Sequence, residues 1–314
     1  MSVDINARLL RDWPLPMPGP DADKNTRGYV VIVAGSREMP GAVLLAATAA
    51  LRAGAGKLAI ATAASVAPQV GVAVPEARVL GLGETVDGGL QVHQRDDLIK
   101  LCEQASAVLI GPGMQDDTAS CRLVRALLPH CGHAPLILDA AGMSIVSRDA
   151  DCGRTAADGA GADDRGSEAA IGGFRFASPV LLTPHAGELA TLTGADKDDI
   201  LAQPDAAARL AAQRWQATVA LKGARTVIAD INNQEWRHEG GNTGLAISGS
   251  GDVLAGIITG LAARGAALEQ AAAWGVALHA MAGEQLALRH GPLGYLAREI
   301  STEIPALLRA MASN

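Results

Sequence analysis

Asp252 stands directly behind Gly249-Ser250-Gly251, at the head of a small-residue run, GSGDVLAGIITGLAARG, residues 249–265. Glycine lets the backbone turn freely, so consecutive N–H groups here can point outward at the positive end of a helix beginning near 252. Gly249, Ser250 and Gly251 would then form an anion hole suited to a phosphoryl group in transfer. A carboxylate beside such a hole can accept a proton from a substrate hydroxyl while the phosphate charge is held nearby. The plainer reading is an aspartate N-cap on a buried helix. Capping alone does not explain why the backbone is so bare just before it.

Other loaded turns follow apolar runs. Lys222 opens a Gly turn in LKGART (221–226), where an amine can meet phosphates or simply face solvent. TPHAGE (183–188) carries His185 with Glu188 three residues on, and GPGM (111–114) and DAAG (139–142) close two further runs. PHCGH (129–133) suggests zinc, but no second Cys/His pair completes four ligands, so a solvated loop is expected. The remaining histidines are dispersed. No G-x-x-x-x-G-K-[ST] and no strand-linked G-x-G-x-x-G is present, which removes the Walker and Rossmann modes of nucleotide binding.

The elements that must carry these turns read as alternating strands and helices. GYVVIVAGS (28–36), a helix over 41–56 and KLAIAT (57–62) make a βαβ unit, which implies parallel strands. SAVLIGPG (106–113), a helix near 117–129, PLILDAAG (135–142), PVLLTPHAGE (179–188), ATVALKG (217–223) and TVIADI (226–231) extend the pattern. These strands are apolar nearly throughout, as a sheet covered on both faces requires. The loaded turns fall at strand C-termini, where open α/β sheets bind ligands. Residues 1–27 read as one short helix and a Pro-rich lead-in, and 151–176, rich in Gly, Ala and Asp, as a flexible surface insertion. Nothing resembles an interdomain linker, so residues 1–314 are expected to be one domain.

The totals bound the partners. Aromatics make up 3% of a chain that is 49% hydrophobic, so the core must be built from Ala, Val, Leu and Ile. A formal net charge of −7 argues against a nucleic-acid partner, which needs a basic face. The four cysteines form no C-x-x-C pair and are expected to be isolated thiols in a reducing cytoplasm. No signal peptide is indicated, and no apolar run approaches the roughly 18 residues of a membrane span.

In order and spacing, GYVVIVAGS…GAVLLAATAALRAGAG, VPEARV (74–79), LIGPG, LILDA, LLTPHAGELATLTG, ALKGART and GSGDVLAGIITGLAARG together resemble the ribokinase-like superfamily. Within it they resemble the ADP/ATP-dependent NAD(P)H-hydrate dehydratases. The match runs from about Gly28 to the C-terminus, the insertion excepted. The resemblance implies a three-layer α/β/α fold with a mostly parallel central sheet. It also implies a repair enzyme that dehydrates NAD(P)H-hydrate to NAD(P)H as ADP or ATP is hydrolysed, with Mg²⁺. Phosphorylation of the hydrate hydroxyl is followed by loss of phosphate. Asp252 would be the base on that hydroxyl, and Gly249 to Gly251 the anion hole, with Gly251 also at the nucleotide. Lys222, Gly223, Ala224, Arg225 and Thr226 match the adenine-nucleotide loop. Ala42, Gly113 and His185 match the hydrate pocket, with Asp252 at its floor, and Glu188 matches a glutamate that organises Mg²⁺ through water.

Three departures stand out. Met114 and Gln115 follow GPG where a glycine is usual, Ala141 replaces the second acid of a DADAL-like sequence, and no epimerase domain precedes the dehydratase region. A stand-alone dehydratase, in a homo-oligomer as relatives often are, is the expectation. Two rivals are a vitamin-precursor kinase of the same superfamily, which shares the phosphorylation step, and a non-catalytic nucleotide-binding regulator. The TPHAGE and KGART pair favours the dehydratase over the kinase, and the intact Asp252 argues against the regulator.

Overall fold

The computed structural model describes residues 2–91, 96–147 and 174–312. The strands are β1 (Ser2–Asp4), β2 (Tyr29–Val33), β3 (Lys57–Ala63), β4 (Ala77–Glu84), β5 (Leu90–Gln91), β6 (Ala107–Ile110), β7 (Leu136–Leu138), β8 (Val180–Leu182), β9 (Thr218–Leu221), β10 (Arg225–Ala229) and β11 (Glu235–Glu239). They form one sheet in the order β1-β11-β10-β9-β8-β7-β6-β2-β3-β4-β5. From β9 through β4 every neighbouring pair is parallel.

Helices cover both faces. They are α1 (Ala7–Asp12), α2 (Pro40–Arg52), α3 (Ala67–Ala73), α4 (Asp96–Gln104), α5 (Asp117–Leu127), α6 (Ala186–Thr193), α7 (Lys197–Ala202), α8 (Pro204–Trp215), α9 (Ser250–Ala263), α10 (Leu268–His290) and α11 (Ala297–Ala312). The double cover explains the uninterrupted apolar strands. In β2 all five residues are buried. Val30 and Ile32 join the core under α2, α9 and α10, while Tyr29, Val31 and Val33 join the core under α4, α5 and α8. Alternation persists, but both faces are dry, each aliphatic side chain contributing about 2 kcal/mol of burial. This is the three-layer α/β/α architecture with a mostly parallel sheet that the sequence predicts.

Scarce aromatics are compensated by close helix packing. A Cβ on Gly256 would lie 2.3 Å from the Ala46 carbonyl oxygen, and one on Gly260 would lie 2.4 Å from that of Ala50. One turn apart, these two glycines let α9 rest directly on the backbone of α2.

Strand order reverses at β2, which lies between β3 and β6. Such a switch point leaves a crevice beyond the carboxyl ends of the strands, and the chain spends its loaded turns there.

Several expectations need correction. TVIADI becomes β10, which runs antiparallel to β9 rather than extending the parallel set, because the short Lys222-to-Ala224 link permits only a hairpin. Residues 1–27 hold a strand, β1, before the short helix, paired to β11. Residues 151–173 of the anticipated insertion lie outside the described residues. Of its described residues Arg175 is exposed, but Phe176 is buried, bonds through its amide to the Trp215 carbonyl at 2.9 Å and packs edge-on against Phe174. Cys102 and Cys131 are free and buried, whereas Cys121 is disulfide-bonded, against the expectation of isolated thiols. Among the described residues no helix is long and apolar enough to cross a membrane.

Candidate active site

Four successive parallel strands deliver chemistry to one edge. β6 ends in Gly111-Pro112-Gly113, β7 in Asp139, β8 in Thr183 to His185 and β9 in Lys222. The last two are linked by a bridge between His185 and Lys222 and by the Lys222 amide, which donates to the Pro184 carbonyl at 2.8 Å.

Lys222 is the hub. Its Nζ donates to Asp139 Oδ1 at 2.9 Å and lies 3.8 Å from Glu188 Oε2. Burial pulls the amine toward neutrality, but the Asp139 and Glu188 carboxylates outweigh it and raise its pKa, so it stays charged. Asp139 is buried, and the Thr183 hydroxyl also donates to its Oδ1 at 2.6 Å. A Cβ on Gly251 would sit 3.5 Å from the Lys222 Nζ, which brings the head of α9 against the same ammonium.

Asp252 occupies the first turn of α9. Its pKa is pushed up to about 6 by burial first and by the charge of Asp139 next, with Lys222 opposing and Glu188 adding a smaller push. A carboxylate so placed is ionised at neutral pH and more basic than an exposed aspartate, the condition wanted in a general base.

α9 begins at Ser250, two residues earlier than its sequence suggested. Gly249 caps it with φ +89, a conformation that favours glycine, and a Cβ there would also press on Leu45 Cδ1 at 2.4 Å. The Ser250 amide is spent on the Ile247 carbonyl at 3.2 Å, and that of Val253 on Gly249 at 3.1 Å. The amides of Gly251 and Asp252 have no acceptor among the described residues, as the first turn of a helix leaves them. By the same measure the Gly249 amide is open, so of the Gly249–Gly251 trio only the Ser250 amide is spent, and Asp252 adds a further open donor.

The other expected residues fall in three places. Ala42, in the first turn of α2, and Gly113 meet at the switch point, where a Cβ on Gly113 would lie 2.5 Å from that of Ala42. His185 stands two strands away, about 10 Å by strand spacing, and caps α6. Its Nδ1 accepts from the Glu188 amide at 3.1 Å while Glu188 Oε2 accepts from the His185 amide at 2.7 Å. Gly223 and Ala224 form the β9–β10 turn. Arg225 is bonded to Asp205 at 3.1 Å, Thr226 lies within β10 opposite His238, and Lys222 is the member of the KGART run that meets Asp139 and Glu188.

Sequence reading passed over two residues. Ala141 leaves Asp139 without a companion acid, yet Asp139 needs none to bind Lys222, with Glu188 lying further off at 3.8 Å. His279 was left among dispersed histidines, although its Nε2 lies 2.9 Å from Ser250 Oγ. Their only signals were a strand-end acid and a polar residue in an apolar helix.

Among the described residues no three His, Cys, Asp or Glu side chains converge on a metal position. Asp139 Oδ1 is committed to Lys222 and Thr183, and Glu188 Oε2 to the His185 amide, which leaves few carboxylate oxygens over, those of Asp252 among them. That set fits Mg²⁺ which keeps its waters and takes its other ligands from phosphates, not a closed protein cage.

Comparison with known proteins bears on the family and the fold. Residues 30–306 match the family model described as NAD(P)H-hydrate dehydratase. An ADP-dependent (S)-NAD(P)H-hydrate dehydratase from Xanthomonas campestris is 45% identical over 97% of this chain and 95% of its own length. A bifunctional NAD(P)H-hydrate repair enzyme from Thermofilum pendens is 35% identical over 95% of this chain, which spans 53% of that longer protein. The crystal structure of the ADP/ATP-dependent NAD(P)H-hydrate dehydratase from Bacillus subtilis, co-crystallised with ATP and Mg²⁺, superposes with a TM-score of 0.77 at 28% identity, covering 98% of both chains. With the family model spanning most of the sheet and every strand end that builds the site, the chain belongs to the NAD(P)H-hydrate dehydratase family.

Proposed function

We propose that this protein dehydrates (S)-NAD(P)H-hydrate to NAD(P)H, coupled to hydrolysis of ADP, with ATP as the alternative donor. The observation that carries the reading is Asp252, raised toward neutrality, beside two open amides and the Lys222 ammonium. It is supported by the names of relatives that match nearly the whole chain.

Asp252 takes the proton of the hydrate hydroxyl as that oxygen forms a bond to the terminal phosphorus of the nucleotide and the bond to the departing nucleotide breaks. The Gly251 and Asp252 amides and Lys222 hold the phosphoryl charge, fixed in place before it develops. Loss of phosphate and of a neighbouring ring proton then restores the nicotinamide double bond. Phosphate is a far better leaving group than hydroxide, which is why a nucleotide is consumed. Ala42, Gly113 and His185 line the hydrate side, and the Lys222-to-Thr226 turn the nucleotide side. Glu188 would orient hydrated Mg²⁺, which supplies neutralisation of the phosphate charge. A cytoplasmic homo-oligomer belongs to the same reading, with exposed Leu288, Leu293 and Leu296 as supporting apolar surface.

The test mixes enzyme, Mg²⁺ and prepared NADH-hydrate with ADP or ATP and follows the near-ultraviolet absorbance of reduced nicotinamide. A rise that requires a nucleotide is expected, faster with ADP. No rise with either, using hydrate verified on a working dehydratase, would sink the reading in favour of a vitamin-precursor kinase.

A further inference from the structure

α9 starts without a side-chain cap, because its capping position must be Gly249. A capping side chain normally helps fix the first turn, and its absence leaves the segment that presents Gly251 and Asp252 held locally by backbone bonds alone. Restraint arrives from another helix. His279 of α10 places Nε2 2.9 Å from Ser250 Oγ and 3.1 Å from the Ser250 carbonyl oxygen. One turn earlier on the same face of α10, a Cβ on Gly275 would meet Ile258 Cγ1 at 2.5 Å, so α10 approaches α9 closely there and brings the imidazole within reach.

A carbonyl oxygen only accepts, so Nε2 must carry the hydrogen for the second contact to be a bond. We propose that His279 is a positioning residue for the phosphoryl site: as the Nε2–H tautomer it grips both oxygens of Ser250 and holds the first turn of α9 beside Lys222. The ring touches no reacting atom; it acts through Ser250. Burial, together with the charge of Lys222 and against the bond to Ser250, lowers its pKa to about 4, so it remains neutral through the working range. A neutral ring adds no second positive charge behind the hole, so Lys222 remains the cation beside it. The inference rests on the reading of α9 as an anion site, not on the identity of the hydrate.

The test uses inorganic phosphate as probe and the Gly251 and Asp252 amide resonances as readout, so it does not require turnover. In wild type these amides are expected to shift on titration, and the His279 ring to show a protonated Nε2 with a bare Nδ1. His279→Leu is expected to weaken phosphate binding at least about tenfold, the scale of one buried hydrogen bond. His279→Gln, which can still donate to Ser250, is expected to recover most of the loss. In the dehydratase assay the Leu variant should lose kcat while KM for the hydrate holds. Combining it with Ser250→Ala should give less than the sum of the single losses. A wild type whose amides ignore phosphate, the opposite ring tautomer, or a Gln variant as impaired as Leu would each overturn the proposal. The ring tautomer decides even if the Leu variant fails to fold.

Discussion

Two charged clusters lie on the sheet, and they are built on opposite plans. On the antiparallel flank Asp205 and Glu235 share Arg209, Arg225 and Arg237: Arg209 meets Glu235 at 2.5 Å, Arg225 meets Asp205 at 3.1 Å, and Arg237 bridges both acids. Cations outnumber acids, and every carboxylate has a guanidinium of its own. At the carboxyl edge of the parallel strands the ratio is inverted, with Asp139, Glu188 and Asp252 around the single ammonium of Lys222. The first plan satisfies charge and holds β10 and β11 to α8. The second leaves negative charge unsatisfied, and the surplus falls on Asp252, the acid at the open donors. Shortage of countercharge distinguishes the cluster proposed to react from the structural one.

That contrast can be broken from its strongest point downward. Asp252→Asn should cut turnover at least about a hundredfold, the scale of a lost general base, while leaving thermal unfolding and nucleotide affinity near wild type; steady-state kinetics with calorimetry decides. Near-normal turnover would remove Asp252 from the mechanism. Lys222→Met strips the buried Asp139 of its cation, so a stability loss of about 3 kcal/mol is expected in denaturant titration, together with loss of activity.

Asp139→Asn sharpens the comparison instead. Asp252 must be ionised to accept a proton, so kcat/KM should fall as pH drops through about 6. Removing the Asp139 charge takes away one of the influences raising Asp252, which should move this acid limb to lower pH. A limb that stays fixed would mean Asp139 does not tune Asp252. The smallest effect is expected on the flank. Arg237→Ala, at a half-exposed pair whose Asp205 retains Arg225, should lower stability by about 1 kcal/mol or less and leave kcat unchanged.

How much of this was legible in sequence depends on how local each cause is. Strands ending in Gly, Asp or Pro turns, the Gly-Ser-Gly run before Asp252 and the His185–Glu188 spacing that becomes a capping box are all written within a few residues. Lys222 and Asp139 are 83 residues apart, and Ser250 and His279 are 29 apart on different helices. Only the completed sheet and the α9–α10 contact bring them together. The turn of direction into β10 was also missed, because an apolar run reads the same whether its neighbour is parallel or antiparallel, and only the short connection tells. Asp139 has no partner written near it, because its counterpart is a distant lysine and not a neighbouring acid.

The seating of α9 on α2 through Gly256 and Gly260 has a kinetic consequence. α2 carries Ala42, on the proposed hydrate side, and α9 carries Gly251 and Asp252, on the phosphoryl side. Backbone rests on backbone at these two glycines, so the two halves of the site are expected to travel as one rigid body. Neither substrate then has to build the pocket of the other. Initial-rate patterns should show random-order addition, and a compulsory order would mean that some element outside this helix pair closes between the two binding events.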